Sequence, residues 1–343
     1  MTGEHQLDNT QAALFGGDAS ASAEAQPRVH RGANLLNDLD PKEWLLATKS
    51  VWYSQVSDLQ VPFLEAVTVA LRSEYGDERA EELLGQLFDS ILLSRPPSRD
   101  PLKAQHPATF AETDIEKLIR FFTKTGETVL DPFLGSGSAL VAAEHCGRNG
   151  VGVEITHKWA EVARQRVHNE RSMFAEYETS AEVIEADARV ALASFPDEHF
   201  GFVVTSPPYW SMLNKPADHK VKHERVSKGL PTRYSEATSD LANLENYDEF
   251  LSALGLIFGE CHRVLRSKRY IAVIVSDFRD KARFHLFHSD VARLLEQVGF
   301  HLAGVTILVQ DSKTLYPYGM PHAFVSNIHH QYVIIARKGD QSP

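Results

Sequence analysis

The chain has 343 residues, 43% of them hydrophobic, and a formal net charge of −11. This length can bury a large core, and the acidic balance excludes a protein that is basic over its whole surface, although it permits a local basic patch. No apolar run reaches the length of a transmembrane helix and no signal-peptide core is found near the N-terminus, so we expect a soluble, cytoplasmic protein with no membrane partner.

The N-terminal part of the chain divides into two stretches of different composition. Residues 1–32 are rich in Ala, Ser, Gln and Gly, which predicts a disordered tail. Residues 33–100 form a predicted helical N-terminal region, whose first helix starts at Asp40-Pro41-Lys42-Glu43 with an acidic cap and a proline at its first position. Apolar residues at helical spacing then fall within 44–52, with Val51 and Trp52 on the predicted face, and within 63–72 and 80–92.

Residues 101–343 alternate between strand-like and helix-like patterns. Seven runs rich in β-branched and apolar residues predict strands, at Thr128–Leu130, Gly150–Glu154, Val183–Asp187, Phe202–Val204, Tyr270–Val275, Val305–Val309 and Tyr332–Ala336. No helix-length pattern separates the last two runs, which predicts a hairpin there. The predicted fold class is α/β, a doubly wound seven-stranded mixed sheet with an N-terminal helical appendage.

The first predicted strand runs directly into Asp131-Pro132-Phe133-Leu134-Gly135-Ser136-Gly137, here called the glycine loop. Pro132 lacks an amide hydrogen and ends the strand, and both glycines allow positive φ before an alanine-rich helix begins. This order aims free backbone N–H groups and the Asp131 carboxylate at a polar ligand. No Gly-Lys-Ser/Thr follows and no third glycine completes a dinucleotide fingerprint, so both of those nucleotide sites are disfavoured.

Acidic residues stand at the ends of the next two predicted strands, Glu154 after the second and Asp187 after the third. Either carboxylate alone could equally well cap the helix that follows it. Ligands of open α/β sheets bind outside the carboxyl ends of the strands, where the glycine loop also lies. Two acidic side chains at that edge suit a ligand that carries a ribose diol and an adenine amine.

The hexapeptide Thr205-Ser206-Pro207-Pro208-Tyr209-Trp210 follows the fourth predicted strand. Two consecutive prolines fix an extended backbone without donors, so that nearby carbonyls and the Ser206 hydroxyl can accept hydrogen bonds from an exocyclic amine. Tyr209 offers a flat face on which an extruded base could stack, as an enzyme that acts on a base within a duplex requires. The alternative is a proline-rich turn with an aromatic plug.

The combination of DPFLGSG, GVGVE and TSPPYW resembles the amino-methylating DNA methyltransferases, which modify N4 of cytosine or N6 of adenine. The likeness covers about His106 to the C-terminus and implies the fold of S-adenosylmethionine-dependent methyltransferases, with a catalytic domain at 101–343. It implies that Glu154 holds the ribose and Asp187 the adenine of S-adenosylmethionine. Other implied cofactor contacts are His106, Pro107, Phe110, Asp131, Pro132, Phe133, Gly135, Ser136, Gly137 and Thr205. The implied catalytic residues around the amine are Ser206, Pro207, Pro208 and Tyr209.

Serine before Pro-Pro-Tyr is the form usual in N4-cytosine enzymes of this family, whereas adenine enzymes more often have Asp or Asn there. We therefore expect methylation of N4 of cytosine, with N6 of adenine as the close alternative and RNA or protein-amide methylation as more remote ones. A regulatory subunit that binds cofactor and DNA without turnover is a further alternative, against which the intact Ser-Pro-Pro-Tyr argues. A cognate restriction nuclease is a candidate partner.

The polar stretch 211–245 is the predicted DNA-contacting insertion, because it follows the presumed base site. Trp210 and six cations are predicted to contact DNA: Lys215, Lys220, Lys222, Arg225, Lys228 and Arg233. Between residues 211 and 235 only Asp218 and Glu224 oppose these cations. The alternative is an idle, solvated loop.

Two other residue types that could carry chemistry are sparse. Cys146 and Cys261 are the only cysteines and both fall inside helical patterns, so we expect packing residues and not the loop nucleophile that C5-cytosine methylation needs. His219 and His223 are four residues apart but have no third ligand near them in sequence. No metal site is predicted.

Overall fold

The computed structural model describes residues 34–40, 43–44, 48, 51–53, 60–90, 102, 111–173, 178–210, 240–280, 283–310, 322 and 324–339. All of them belong to one unit, Asn34–Pro343. The tail predicted at 1–32 lies outside the described residues. None of the helices in the described ranges is long and apolar enough to cross a membrane.

Ten strands and eight α-helices make up the described secondary structure. The strands are β1 (Val51–Tyr53), β2 (Thr128–Asp131), β3 (Asn149–Glu154), β4 (Ala181–Glu185), β5 (Phe200–Thr205), β6 (Leu265–Val275), β7 (Phe278–Asp280), β8 (Arg283–His285), β9 (Phe300–Val309) and β10 (His330–Lys338). The helices are α1 (Gln60–Tyr75), α2 (Asp77–Ser90), α3 (Glu112–Phe122), α4 (Ser138–His145), α5 (His157–Met173), α6 (Ala188–Ala191), α7 (Tyr247–Val264) and α8 (Phe287–Gln297).

Eight strands form one mixed sheet in the order β1-β9-β10-β6-β5-β2-β3-β4, and β7 and β8 form a separate ribbon. Strands β6, β5, β2, β3 and β4 are parallel to one another, whereas β10 is antiparallel to both β6 and β9. All seven predicted strands are present, and the last two form the predicted hairpin pair. The α/β fold class is therefore confirmed, with an eighth strand at one edge.

Strands β2 and β5 are neighbours, with Val129 opposite Phe202 and Leu130 opposite Val203. From β2 the chain moves outward through β3 and β4, and from β5 it moves the other way into β6. The strand order thus reverses between β2 and β5, and the glycine loop and the Ser-Pro-Pro-Tyr segment leave the sheet on the two sides of this point. Crevices at such switch points are where open α/β sheets bind ligands.

Helices cover both faces of the sheet. On β5, Phe202 and Val204 pack with the apolar face of α3, which includes Ile119. Val203 faces the other way and packs with Ile257 of α7. This alternation along a fully buried strand is what a parallel strand between two helical layers requires. The prediction of a doubly wound arrangement follows from the same apolar runs.

One part of the prediction for the N-terminal region is wrong, because a segment predicted as helix forms a strand. Val51–Tyr53 was expected to continue a helix, but it forms β1 and pairs in parallel with Ile307–Val309 of β9. Val, Trp and Tyr favour strands, and pairing with an exposed sheet edge overrides a local helical pattern of so few residues. The two later helices predicted in this region are present as α1 and α2, while the boundaries of a separate N-terminal region stay a prediction.

Candidate cofactor and amine site

A cleft of about 890 Å³, open to solvent, lies at the switch point between β2 and β5. Six of the predicted cofactor residues line it: Pro132, Phe133, Gly135, Ser136, Glu154 and Asp187. All four predicted catalytic residues, Ser206, Pro207, Pro208 and Tyr209, line it as well. Two motifs that lie about 70 residues apart in sequence therefore face one space in the fold.

The glycine loop has the expected backbone, with φ of 55° at Gly135 and 88° at Gly137. A side chain at Gly137 would also collide with α5, because a Cβ there would lie 3.0 Å from the Ala163 Cβ. The expectation that the loop amides are free for a ligand is wrong for four of them. Phe133 donates to Asp131 Oδ1, Leu134 to the Val153 carbonyl, Gly135 to Glu154 and Gly137 to the Leu134 carbonyl. The parallel neighbour β3 ends beside the loop and supplies two of these acceptors, Val153 and Glu154.

Glu154 is 8% exposed and is held by backbone donors on both oxygens. Its Oε2 accepts from Gly135 N at 2.9 Å, and its Oε1 accepts from Thr156 N at 2.8 Å. Burial raises the pKa of this carboxyl, and the nearby charge of Asp240 adds to the rise. A carboxylate has about four acceptor positions, so Glu154 keeps the capacity to accept from a diol while the loop fixes its orientation.

Asp187 has the helix-capping role that the sequence left open, and its contact with a cofactor stays a prediction. It caps α6, because its Oδ1 accepts from Arg189 N at 2.9 Å. Hydrogen bonds from the Arg189 side chain lower the pKa of the Asp187 carboxyl and keep it ionised. Since Asp187 also lines the cleft, the cap and the ligand-facing position are compatible.

Asp131 is buried and does not line the cleft, unlike the loop residues that follow it. Its Oδ1 accepts from the Thr205 hydroxyl at 2.6 Å and from Phe133 N at 3.0 Å, so it joins the glycine loop to the end of β5. Its Oδ2 is buried and has no hydrogen-bond partner among the described residues. Thr205 and Gly137 are likewise not among the lining residues. Asp131 and Thr205 thus link the glycine loop to the start of the Ser-Pro-Pro-Tyr segment.

The stability of the chain should depend on pH through Asp131. Burial raises the pKa of this carboxyl to about 7, whereas an unfolded aspartate titrates near pH 4 (about 3.9). A raised pKa favours the folded state at low pH, and this contribution is lost as pH rises from about 4 to about 7. In Asp131→Asn, which keeps the Oδ1 acceptor, the free energy of unfolding relative to wild type should therefore rise by up to about 4 kcal/mol over that range. Urea unfolding of the cofactor-free proteins measures it; a difference that stays constant with pH would contradict it.

Arg166 supports the glycine loop from behind, and sequence reasoning missed it. Its guanidinium is 2% exposed and donates to the Ser136 carbonyl at 2.6 Å and to Glu112 Oε1 at 2.6 Å. The Ser138 hydroxyl donates to the same Glu112 oxygen at 2.9 Å. A charged residue within a helical pattern normally predicts an exposed position. Only the packing of α5 against α3 and α4 identifies this one as buried.

The Ser-Pro-Pro-Tyr segment builds a further part of the cleft lining. Pro207 and Pro208 offer no amide hydrogens, and the ring of Tyr209 lines the cleft with Phe287 packed against it at a centroid distance of 6.1 Å. Trp210 was predicted to contact DNA. Its ring packs against Tyr247 at 5.2 Å, and its Nε1 donates to the Leu244 carbonyl at 2.8 Å. Trp210 therefore anchors the segment, and its contact with DNA stays a prediction.

The end of the predicted DNA-contacting insertion belongs to the cleft. Asp240 and Leu241 are buried and line it, and a short 3-10 helix spans Leu241–Asn243. Asp240 caps that helix through a bond from Ala242 N at 2.9 Å. The polar composition of 211–245 concealed this return to the core. The one signal in the sequence for this short helix is Asp240 before the apolar pair Leu241 and Ala242, since aspartate is a favoured helix cap.

Several predicted residues lie outside the described residues. They are His106, Pro107 and Phe110 of the cofactor set and Lys215, Lys220, Lys222, Arg225, Lys228 and Arg233 of the DNA set. Within the described ranges no group of three or more His, Cys, Asp or Glu side chains is placed to hold a metal ion.

Both cysteines are buried, as the helical patterns predict. Burial raises the pKa of the Cys146 thiol to about 11, and it raises the pKa of Cys261 as well. Thiols with raised pKa values are poor nucleophiles. Neither cysteine therefore provides the thiolate that C5-cytosine methylation needs.

Comparison with known proteins places part of this chain in a family. A model of the N6/N4 methyltransferase family, described as DNA methylase, matches residues 29–165. Type II methyltransferase M.HpaI of Haemophilus parainfluenzae is 35% identical over 69 residues, 20% of this chain and 22% of that protein. Type II methyltransferase M.ScaI of Streptomyces caespitosus is 37% identical over 73 residues, 21% of this chain and 24% of that protein. The chain thus spans less than a quarter of the length of these relatives.

Among solved structures, a SAM-dependent methyltransferase from Methanosarcina mazei is similar with a TM-score of 0.40 and 16% identity. The similarity covers 62% of this chain and 93% of that one. A likeness of this size says nothing about activity. The family match agrees with the site, in which the glycine loop, the strand-end carboxylates and the Ser-Pro-Pro-Tyr segment line one cleft. Residues 29–165 of this chain are therefore similar to the N6/N4 DNA methylase family, and S-adenosylmethionine is the cofactor that the residues of the cleft fit.

Proposed function

We propose that the chain transfers a methyl group from S-adenosylmethionine to the exocyclic N4 amine of cytosine in DNA. The observation that carries this proposal is the shared cleft, in which the Ser-Pro-Pro-Tyr segment faces the glycine loop and the acidic strand ends. An amine held by the first and a methyl donor held by the second would lie side by side. The serine at position 206 supports cytosine over adenine.

The residues of the cofactor half fit this ligand. Glu154 and Asp187 are acceptors with fixed orientations, suited to the ribose hydroxyls and the adenine amine, and Ile155 and Trp159 add apolar surface between them. When bound, the cofactor supplies an electrophilic methyl group on a sulfonium. Asp131 would act through the loop and not by direct contact, because its Oδ1 is engaged by Thr205 and Phe133.

On the base side, the chain's own groups would hold and orient the amine. The carbonyls that precede and follow Pro207, and the Ser206 hydroxyl, would accept the two amine hydrogens and turn the nitrogen lone pair toward the methyl group. Tyr209 would stack on the extruded base. The apolar packing of Trp210 and Phe287 would keep this segment in place during turnover.

Substituting Asp187 with alanine should weaken binding of S-adenosylmethionine by about 1–3 kcal/mol, because a half-buried acceptor is lost. Isothermal titration calorimetry measures the affinity. Asp187→Asn keeps an acceptor and a helix cap, so it separates the loss of the negative charge from the loss of the acceptor. Glu185→Ala is the matched control, because Glu185 ends β4 but does not line the cleft. Unchanged affinity in both Asp187→Ala and Glu154→Ala would refute the assignment.

We also propose that the cations at 215–233 bind DNA phosphates. A flipped base cannot be held unless its flanking phosphates are anchored, and the net charge of −11 would otherwise repel them. Alanine at Lys220, Lys222 and Arg225 together should lower the slope of log affinity against log salt concentration by about 2–3. Cofactor affinity is the folding control. Identical slopes would show that DNA is bound elsewhere, and an Arg72→Ala, Arg79→Ala double variant tests the N-terminal helices.

The proposed function is tested by incubation with labelled S-adenosylmethionine and DNA of mixed sequence, followed by nucleoside mass spectrometry. We expect label in N4-methylcytosine. Label in N6-methyladenine would move the proposal to the alternative base, and label in neither nucleoside, with cofactor and DNA still bound, would indicate a regulatory subunit without turnover.

A further inference from the structure

The hydroxyl of Tyr209 is held by a residue that does not line the cleft. Gln331 Nε2 donates to this hydroxyl at 3.3 Å, across 122 residues of sequence. A backbone hydrogen bond from Ser276 also reaches it, while burial raises the pKa of the phenol. Tyr209 therefore lines the cleft while its hydroxyl is held by Ser276, the first residue beyond β6, and by Gln331 of β10.

Gln331 is itself held in place by a second amide. Gln310 Nε2 donates to Gln331 Oε1 at 2.8 Å, and the Gln310 backbone amide donates to the His329 carbonyl at 2.7 Å. Gln331 lies opposite Leu308 in the β9–β10 ladder, so its backbone is rigid. The side chains thus form a directed row from Gln310 through Gln331 to Tyr209. We call this row the glutamine relay.

Apolar packing alone does not fix the orientation of the Tyr209 ring. Phe287 meets it edge-on at 6.1 Å, with an interplanar angle of 60°, so it contacts the ring without a parallel stack. The backbone around Pro207 and Pro208 sets the position of the Tyr209 Cα atom, but rotation about the side-chain bonds of Tyr209 remains. A hydrogen bond at the hydroxyl limits rotation about the Cα–Cβ bond, because it fixes the position of the far end of the ring.

We propose that Gln331, supported by Gln310, is a positioning residue that holds the far end of the Tyr209 ring in the place needed to stack the target base. This inference rests on the proposed function, in which Tyr209 contacts the base. The relay touches neither the cofactor nor the reacting amine. It would act before the base arrives, so that stacking does not require the ring to be ordered during binding.

The proposal is tested by a double-mutant cycle between Gln331→Met and Tyr209→Phe. Each single variant should raise KM for DNA, or lower kcat/KM, by about three- to ten-fold, the size expected for one lost hydrogen bond. Cofactor affinity should be unchanged. The double variant should be no worse than Tyr209→Phe alone, because no hydroxyl remains for Gln331 to hold. Gln297→Met on the exposed end of α8 is the matched control and should behave as wild type.

A second readout does not depend on turnover. Nitration of tyrosines by tetranitromethane, followed by peptide mass spectrometry, should be faster at Tyr209 in Gln331→Met than in wild type. Tyr247, whose hydroxyl donates to Asp290 at 2.8 Å, is the internal control and should not change. If Gln331→Met does not fold, Gln310→Met serves in its place and should show a smaller change of the same kind.

The outcomes separate the two proposals. Wild type that methylates no DNA, with faster nitration of Tyr209 in Gln331→Met, would reject the proposed function and keep the hydroxyl anchor without its role in stacking. Active wild type with additive losses in the double variant, or with unchanged kinetics and nitration in Gln331→Met, would overturn the positioning role.

Discussion

Methyl transfer to DNA should fall by about 10- to 100-fold when Tyr209 is replaced by alanine, because base stacking on an aromatic ring contributes about 1–3 kcal/mol. Cofactor affinity should stay nearly the same, since the proposed cofactor contacts come from the glycine loop, Glu154 and Asp187 and not from Tyr209. Single-turnover methylation and calorimetry with S-adenosylmethionine measure the two quantities on the same preparation.

Two further variants identify which contact is lost. Ser206→Ala removes a hydroxyl beside the proposed amine and should slow turnover severely without changing stacking. Phe284→Ala removes an exposed ring outside the cleft and is the control for a general effect of losing an aromatic side chain. Full turnover by Tyr209→Ala would reject the stacking role, whatever Ser206→Ala does.

Stability should fall by about 3–5 kcal/mol in Arg166→Met, because the Glu112 carboxylate is left buried and without its ion-pair partner. The Ser136 carbonyl would lose its donor as well, so binding of S-adenosylmethionine should also weaken. Urea unfolding gives the free energy, and calorimetry at low temperature, where the variant is folded, gives the affinity.

A second substitution separates charge burial from loop position. Arg166→Met combined with Glu112→Leu removes both charges, and replacement of a buried ion pair by apolar groups is often close to neutral. Most of the lost stability should return, whereas cofactor binding should stay weak. Equal destabilisation of the single and double variants would show that packing volume, and not the unpaired carboxylate, is what Arg166 provides.

The sequence predicts the sheet and the glycine loop because their signals are local. Apolar runs, the Pro132 break and the two loop glycines each act within a few residues of where they stand. The carboxyl ends of parallel strands meet at one edge of the sheet, which is why the sequence alone places Glu154 and Asp187 near the glycine loop.

The missed features depend on contacts between distant segments. β1 exists because β9 offers it an edge, and Arg166 is buried because three helices meet around it. Gln331 lies in β10, whose residue pattern predicts pairing with neighbouring strands but not the side-chain hydrogen bond to Tyr209. The prediction that the loop amides are free was wrong for the same reason, since Glu154 and Val153 of the neighbouring strand accept hydrogen bonds from two of them.

The glutamine relay also has a consequence for biosynthesis. The glycine loop, Glu154 and Asp187 lie within one continuous segment that leaves the ribosome first, while the hydroxyl of Tyr209 must wait for Gln331, which is made 122 residues later. At about 5–20 residues per second this delay is roughly 6–24 s. A nascent chain could thus shape its cofactor half well before the Tyr209 ring is locked, and translation itself sets the order in which the two halves of the cleft mature.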